Sequence, residues 1–312
     1  MDELIRVQEL KKYFKTAAGT LHAVDGVSFS IQKGQTLGVV GESGCGKSTL
    51  GRVILGLLEA SGGQVLYGGS DITHAKGEER FRLRREMQMI FQDPFSSLDP
   101  RMSVSEIIAE PLIIYKQCAG RGELDHRVAE IMDTVGLASR LANSYPHELD
   151  GGRALALRPR FIVCDEPVSA LDVSIQAQIL NLMQDLQQAQ ELTYLFITHD
   201  LSVVKHVSDH ILVMYLGCMV EKCPAKELFH HQYHPYTKGL ISAIPIPNIH
   251  RRQEPVLMKG ELSSPIDPQP GCRFANRCPY AREVCSTTTP QLAQVRENHL
   301  VACHFVKEIN GL

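Results

Sequence analysis

With 312 residues the chain is long enough for one large domain, or for one domain with an appendage. Hydrophobic residues at 44% and charged residues at 21% describe an ordinary soluble core, and a net charge of −3 gives no footprint for a nucleic acid or other polyanion. No apolar run approaches the roughly 18 residues of a membrane span, and the acidic start Met1-Asp2-Glu3-Leu4 lacks the basic and apolar regions of a secretory signal, so a cytosolic chain that meets membranes only through partners is expected.

Thr36-Leu37-Gly38-Val39-Val40 reads as a short buried strand, and Thr49 to Leu55 carries apolar residues at helical spacing. Between them Gly41-Glu42-Ser43-Gly44-Cys45-Gly46-Lys47-Ser48 fits the phosphate-loop pattern G-x-x-x-x-G-K-[ST]. Strand, glycine loop and helix together favour a mechanism over an ordinary glycine turn. The backbone from Gly41 through Ser43, Gly44, Cys45 and Gly46 to Thr49 would wrap the phosphates with its amides. Lys47 would reach the β- and γ-phosphates and the Ser48 hydroxyl would hold Mg²⁺. A nucleoside triphosphate, ATP with Mg²⁺, is the expected ligand.

Further along, Phe161-Ile162-Val163-Cys164 is an apolar strand ending in Asp165 and Glu166. A carboxylate there can hold the Mg²⁺ shell while its neighbour polarises an attacking water; behind a phosphate loop, two merely exposed acids are the weaker reading. Asp172 is the expected N-cap of a helix with Ile175, Ile179, Leu182, Met183 and Leu186 on one face. Thr193 to Thr198 is another buried strand, closed by His199. A lone histidine is usually structural, but this position beside the nucleotide strand favours a γ-phosphate sensor. Ile211 to Val220, interrupted by Gly217, reads as a β-hairpin.

Prolines at 245, 247, 265, 268 and 270 mark a change to extended chain, followed by Cys272, Cys278, Cys285 and Cys303. Their spacing is neither that of a zinc ribbon nor that of a ferredoxin. It leaves a structural metal and unconnected thiols both open. His230, His231 and His234 are expected at a solvated helix end rather than on a second metal.

The order of phosphate loop, Gln92, Gly-Gly motif, Asp165-Glu166, Ser169-Ala170-Leu171-Asp172 and His199 resembles the nucleotide-binding subunits of ABC transporters over essentially the whole chain. Phe91 to Arg101, Tyr145-Pro146-His147-Glu148-Leu149 and His234-Pro235-Tyr236-Thr237 are similar to stretches of the bacterial oligopeptide and dipeptide importers, a pattern that nickel importers largely share. The resemblance implies an α/β fold: a P-loop NTPase (RecA-like) core over 1–92 and 159–235, a helical subdomain over 93–158, and a small Cys-rich C-terminal extension over 236–312. It makes Tyr13 the aromatic that stacks on adenine, Gln92 a sensor of Mg²⁺ and of the transport channel, and Asp172 part of a loop that crosses a dimer interface. Glu166, Gln92 and His199 become the catalytic set, with Ser48, Gln92 and Asp165 on Mg²⁺. The implied partners are a second homologous ATPase, two transmembrane permeases and, indirectly, an extracytoplasmic peptide-binding protein. The implied place is the cytoplasmic side of the inner membrane. The same resemblance implies a [4Fe-4S] cluster on the four tail cysteines, with Zn²⁺ as the alternative. A non-transport ABC ATPase would carry long coiled coils or two nucleotide domains, and this chain has neither.

One segment departs from the pattern. Leu149-Asp150-Gly151-Gly152-Arg153 stands where Leu-Ser-Gly-Gly-Gln is expected, and the resemblance implies that Asp150, Gly151 and Gly152 face the partner's γ-phosphate. The chain then runs directly into Ala154-Leu155-Ala156-Leu157-Arg158-Pro159, about seven residues early. That is two helical turns, about 10 Å of reach. A lesion in the sequence, a natural variant with a degenerate partner site and a tolerated rearrangement are all open readings. Each leaves Lys47, Asp165 and Glu166 intact.

Overall fold

The computed structural model describes residues 2–92, 99, 101–144, 157–169, 171–244, 258 and 264–312. The signature residues Asp150, Gly151 and Gly152, most of the run following Gln92, Ala170 and the prolines at 245 and 247 lie outside the described residues.

In chain order the strands are β1 (Glu3–Thr16), β2 (Gly19–Gln32), β3 (Thr36–Val40), β4 (Gly62–Tyr67), β5 (Ser70–Asp71), β6 (Met87–Ile90), β7 (Phe161–Asp165), β8 (Thr193–Ile197), β9 (His210–Tyr215), β10 (Cys218–Pro224), β11 (Ala293–Arg296) and β12 (His299–Val301). The helices are α1 (Lys47–Ile54), α2 (Gly77–Glu86), α3 (Val104–Ile114), α4 (Arg121–Thr134), α5 (Val173–Gln190), α6 (Leu201–Val207), α7 (Ala225–His230), α8 (Pro235–Ser242), α9 (Glu283–Thr287) and α10 (Val306–Asn310). Two compact units result: 1–74 with 196–312, and 75–195.

In the first unit one sheet has the order β2-β1-β4-β5 and a second runs β11-β12-β10-β9-β3. All five residues of β3 are buried, and β3 pairs in parallel with β9 from Leu37↔His210 to Val40↔Val213. A strand covered on both faces cannot alternate apolar with polar residues, which is why Thr36–Val40 reads as a continuous apolar run. The expected hairpin is present: β9 and β10 pair antiparallel through a turn at Leu216-Gly217. Beyond it the C-terminal segment builds on this unit, because β12 pairs with β10 at Glu221↔Val301. Phe274, 1% exposed, packs into the same core as Val213, Tyr215 and Tyr236.

The second unit carries β6 and β7 in parallel register, Met87↔Phe161 to Ile90↔Cys164, with β8 next in order. Helix α3 starts at a reciprocal capping box: the Glu106 amide donates to Ser103 Oγ while the Glu106 carboxylate accepts from the Ser103 amide at 2.7 Å. Val104, Ile108, Leu112, Val128, Ile131 and Met132 form the core that α3 and α4 share. Helix α5 differs from expectation. Asp172 stands at the N-cap but its side chain makes no capping bond, and within α5 only Met183 and Leu186 are buried. Ile175, placed by its spacing on the inward face, is 42% exposed. The apolar periodicity is real, but no apolar side chain in the first half of the helix is buried among the described residues.

Candidate nucleotide-binding site

The phosphate loop hangs between β3 and α1. Gly46 is the N-cap of α1 at φ 100°, and an added Cβ there would sit 1.9 Å from the Ala23 carbonyl oxygen. At Gly41, φ 155°, a Cβ would lie 2.2 Å from the Met214 carbonyl oxygen. Only glycine fits either position, so the loop takes this shape by sequence necessity. The Cys45 carbonyl accepts the Gly217 amide at 2.9 Å, which fixes the loop to the β9–β10 turn. Lys47 is 5% exposed, and its ammonium donates to the Gly41 carbonyl at 2.8 Å and the Glu42 carbonyl at 3.0 Å. Ser43 and Gly44 are exposed at the loop tip, with Ser48 and Thr49 half-buried in the first turn of α1. A concave backbone at a helix N-terminus with a captive ammonium suits a polyphosphate.

Tyr13 lies directly across from His22 in the β1–β2 pairing, and their rings stack with centroids 4.0 Å apart. Its hydroxyl donates to Asp25, whose carboxylate also takes His22 Nδ1 at 2.9 Å and the Arg273 guanidinium. Burial opposes the Asp25 charge, yet hydrogen bonds from Tyr13 and His22 and the Arg273 charge hold its carboxyl below the usual range. Burial and the same hydrogen bond push the Tyr13 hydroxyl up, so it stays protonated.

After β8 the Thr198 amide donates to the Val39 carbonyl at 3.2 Å. His199 is exposed one residue later, followed by Asp200, which accepts the Ser202 amide at 2.7 Å and caps α6. The cap sets where the chain turns, and so where His199 emerges.

In the second unit Asp165 ends β7 at 1% exposure. Glu166 follows at φ 50°, a left-handed conformation that costs a non-glycine residue about 1 kcal/mol or more. The turn is held by Ser169, whose amide and hydroxyl both donate to the Glu166 carbonyl, at 3.2 and 3.0 Å. The Gln92 amide donates to Glu166 Oε2 at 3.0 Å, so the structure brings these two expected catalytic residues together.

The tail cysteines carry no disulfide. Each of the six pairs among Cys272, Cys278, Cys285 and Cys303 is close enough for mutual electrostatic influence. Burial first, and then the other three sulfurs, push Cys272 up to about 12. Three sulfurs accept a backbone amide two residues on: Cys272 from Phe274, Cys278 from Tyr280 and Cys303 from Phe305. Among the described residues, however, no three His, Cys, Asp or Glu side chains form a group that could hold a metal ion. The thiols are gathered, not closed on one centre.

The histidines at 230, 231 and 234 divide. His230 and His231 are exposed, as expected of a helix end. His234 is 1% exposed, and its Nδ1 accepts the Tyr236 amide as the N-cap of α8. Its burial departs from the solvated helix end expected of it, because a histidine before proline carries no sign of burial in the sequence. Asp25, Glu42, Arg273 and Arg277 are likewise illegible there, because the Asp25–Arg273 and Glu42–Arg277 pairings span 248 and 235 residues and leave no local pattern. His234-Pro235-Tyr236 was legible only as a motif without a role.

This geometry defines a P-loop nucleotide-binding protein of the α/β class. The family model described as ABC transporter matches residues 24–169, and that described as oligopeptide/dipeptide transporter, C-terminal region, matches 220–285. The chain is 50% identical over 307 residues to the oligopeptide transport ATP-binding protein OppF of Salmonella typhimurium, covering 95% of this chain and 92% of that protein. It is 48% identical to the putative oligopeptide transport ATP-binding protein YkfD of Bacillus subtilis, covering 97% of this chain and 96% of that one. Among solved structures, the dimeric ATP-binding cassette MJ0796 bound to ADP and Pi superposes with a TM-score of 0.65 at 26% identity, over 71% of this chain and 99% of that one. The chain belongs to the ABC transporter ATP-binding proteins, in their oligopeptide/dipeptide branch. Among the described residues no helix is long and apolar enough to cross a membrane.

Proposed function

We propose that this chain hydrolyses ATP to energise import of di- and oligopeptides, paired with a homologous ATPase on two membrane permeases, with an extracytoplasmic binding protein delivering the cargo. It would sit peripherally on the cytoplasmic face of the inner membrane, docked near Gln92. The observation that carries the reading is the phosphate loop, where glycine geometry at 41 and 46 leaves a backbone cradle above a buried Lys47. Near-full-length likeness to oligopeptide transport ATP-binding proteins supports the cargo.

Tyr13 is the platform for the base. Amides from Gly41 to Thr49 hold the phosphates, and Lys47 exchanges its loop carbonyls for phosphate oxygens, which are stronger acceptors because they are charged. Ser48 and Asp165, with Gln92, are the residues that would hold Mg²⁺, which supplies positive charge against the phosphates when bound. Glu166 orients the water whose oxygen bonds to the γ-phosphorus as the bond to the β–γ bridging oxygen breaks, and His199 donates to the departing phosphate. Asp172 and the residues around it, with Asp150, Gly151 and Gly152 of the signature, serve the interface with the partner ATPase. The domain scheme of core, helical subdomain over 93–158 and extension over 236–312 belongs to this same reading.

For the tail, four gathered thiols with amide N–H groups on three sulfurs suit a soft thiolate-bound centre, a [4Fe-4S] cluster or Zn²⁺. Ligation would require the sulfurs to draw together. Its role would be to clip the extension.

A second reading rests on the shortened signature segment: the chain is a catalytically impaired, structural subunit that binds ATP while its partner supplies the turnover. Cargo is tested by uptake into proteoliposomes of the complete transporter with ATP on the cytoplasmic face. Accumulation of a labelled tripeptide but not of Ni²⁺ supports the peptide reading, and the reverse replaces it with a nickel importer.

A further inference from the structure

Glu42, one of the variable positions of the phosphate loop, is tied at every polar group. Its amide donates to the Tyr236 hydroxyl at 2.8 Å, its carbonyl accepts from Lys47, and its carboxylate takes both ends of the Arg277 guanidinium at 2.8 and 3.1 Å. The Arg277 and Glu42 side chains are 10% and 21% exposed, so water screens this bidentate pair poorly. Arg277 also lies over the ring of Tyr215 at 5.9 Å. Nothing in the loop's own pattern requires an acid at 42, and Arg277 lies 235 residues away in the extension.

Arg273, four residues earlier, makes the equivalent contact at the other end of the site. Its guanidinium donates to Asp25, the carboxylate that holds the hydroxyl of Tyr13 and the ring of His22. Between the two arginines Phe274 is buried against Tyr215 and Tyr236, with ring centroids 5.2 and 5.4 Å away. A third tie runs from 265–267 to the start of β2: the His22 amide donates to the Pro265 carbonyl, and the Thr20 amide to Asp267 Oδ1, both at 3.0 Å. One five-residue turn of the extension therefore reaches both the loop for the phosphates and the platform for the base.

We propose that Arg277 and Arg273 are positioning residues for the nucleotide, Arg277 fixing the phosphate loop through Glu42 and Arg273 fixing the Tyr13–His22 platform through Asp25. A loop held in its bound shape loses less conformational freedom when the ligand arrives, so the contacts raise affinity without touching the ligand. The Arg273 half rests on the reading of Tyr13 as the base platform; the Arg277 half does not. The extension thereby becomes part of the nucleotide site, and detaching it would weaken ATP binding.

The test is equilibrium binding of ATP, GTP and inorganic tripolyphosphate to the purified full-length chain by calorimetry, with the melting temperature of each variant measured alongside. Arg277→Ala should weaken all three ligands by about 5- to 30-fold. Arg277→Lys, which keeps the charge but not the fork, should fall between. The exchange Glu42→Arg with Arg277→Glu should recover part of the loss, which a role in folding alone would not do. Arg273→Ala should weaken ATP about 3- to 10-fold, narrow the gap between ATP and GTP and leave tripolyphosphate unchanged. Folded variants that bind all three ligands like the wild type overturn the proposal. Should Tyr13→Ala bind ATP normally, the base-platform reading and the Arg273 half fail together while the Arg277 half stands on tripolyphosphate.

Discussion

Single residues set the terms at both ends of the ligand. At Gly46 a methyl group would meet the Ala23 carbonyl and φ is 100°, so Gly46→Ala must distort the loop rather than fill space. We expect the variant to lose about 1–3 kcal/mol of stability and at least about tenfold in ATP affinity, read by denaturation and calorimetry. His234 gives a pH prediction. Burial pushes its pKa down to about 4, against about 6.5 in the unfolded chain. Between those values the unfolded chain binds a proton that the folded one refuses, so falling pH destabilises the fold by roughly 1.4 kcal/mol per unit from this group. His234→Asn keeps a capping side chain and should flatten the stability–pH curve over that window, measured by urea unfolding. The glycines and Lys47 were legible from sequence because their constraint is local: φ, a helix terminus, a charge. The ion pairs of Glu42 and Asp25 were not, because the arginines that complete them come from the far end of the chain.

Strands β3, β7 and β8 could be read directly, since strands buried throughout show up as unbroken apolar runs. Helix α5 could be placed but not oriented. Its periodicity is blind to whether a face is covered by its own unit, and Leu171, Val173 and Ile175 remain 36%, 83% and 42% exposed. Val173→Asp should leave the melting temperature within about 2 °C of wild type, yet lower ATP turnover in the assembled transporter severalfold if this face meets the partner ATPase. The shortened signature segment belongs to the same scale. Restoring about seven residues after Arg153 keeps helical phase to roughly 20° while adding reach. Turnover of the transporter should rise if the second reading holds and stay constant if the short segment already delivers Gly151 and Gly152.

At the scale of the molecule the sequence is interrupted: 75–195 forms its own unit, while 1–74 joins 196–312. The extension is no separate module. It adds β12 to the edge of β10, lends Phe274 to the core and binds the nucleotide loop through Arg277. Proline punctuation at 245, 247 and 265–270 marks a change to extended chain but not where the tail docks, because docking is carried by contacts distant in sequence.

The most direct test of the central claim is peptide-stimulated ATP hydrolysis by the reconstituted transporter, comparing this chain with Glu166→Gln. The substitution keeps size and the reach toward Gln92 but removes the charge proposed to orient the water. Peptide-stimulated turnover is expected with the wild-type chain and a loss of at least about 100-fold at this chain's own site with Glu166→Gln, with ATP binding retained. Equal turnover by the two chains would contradict it.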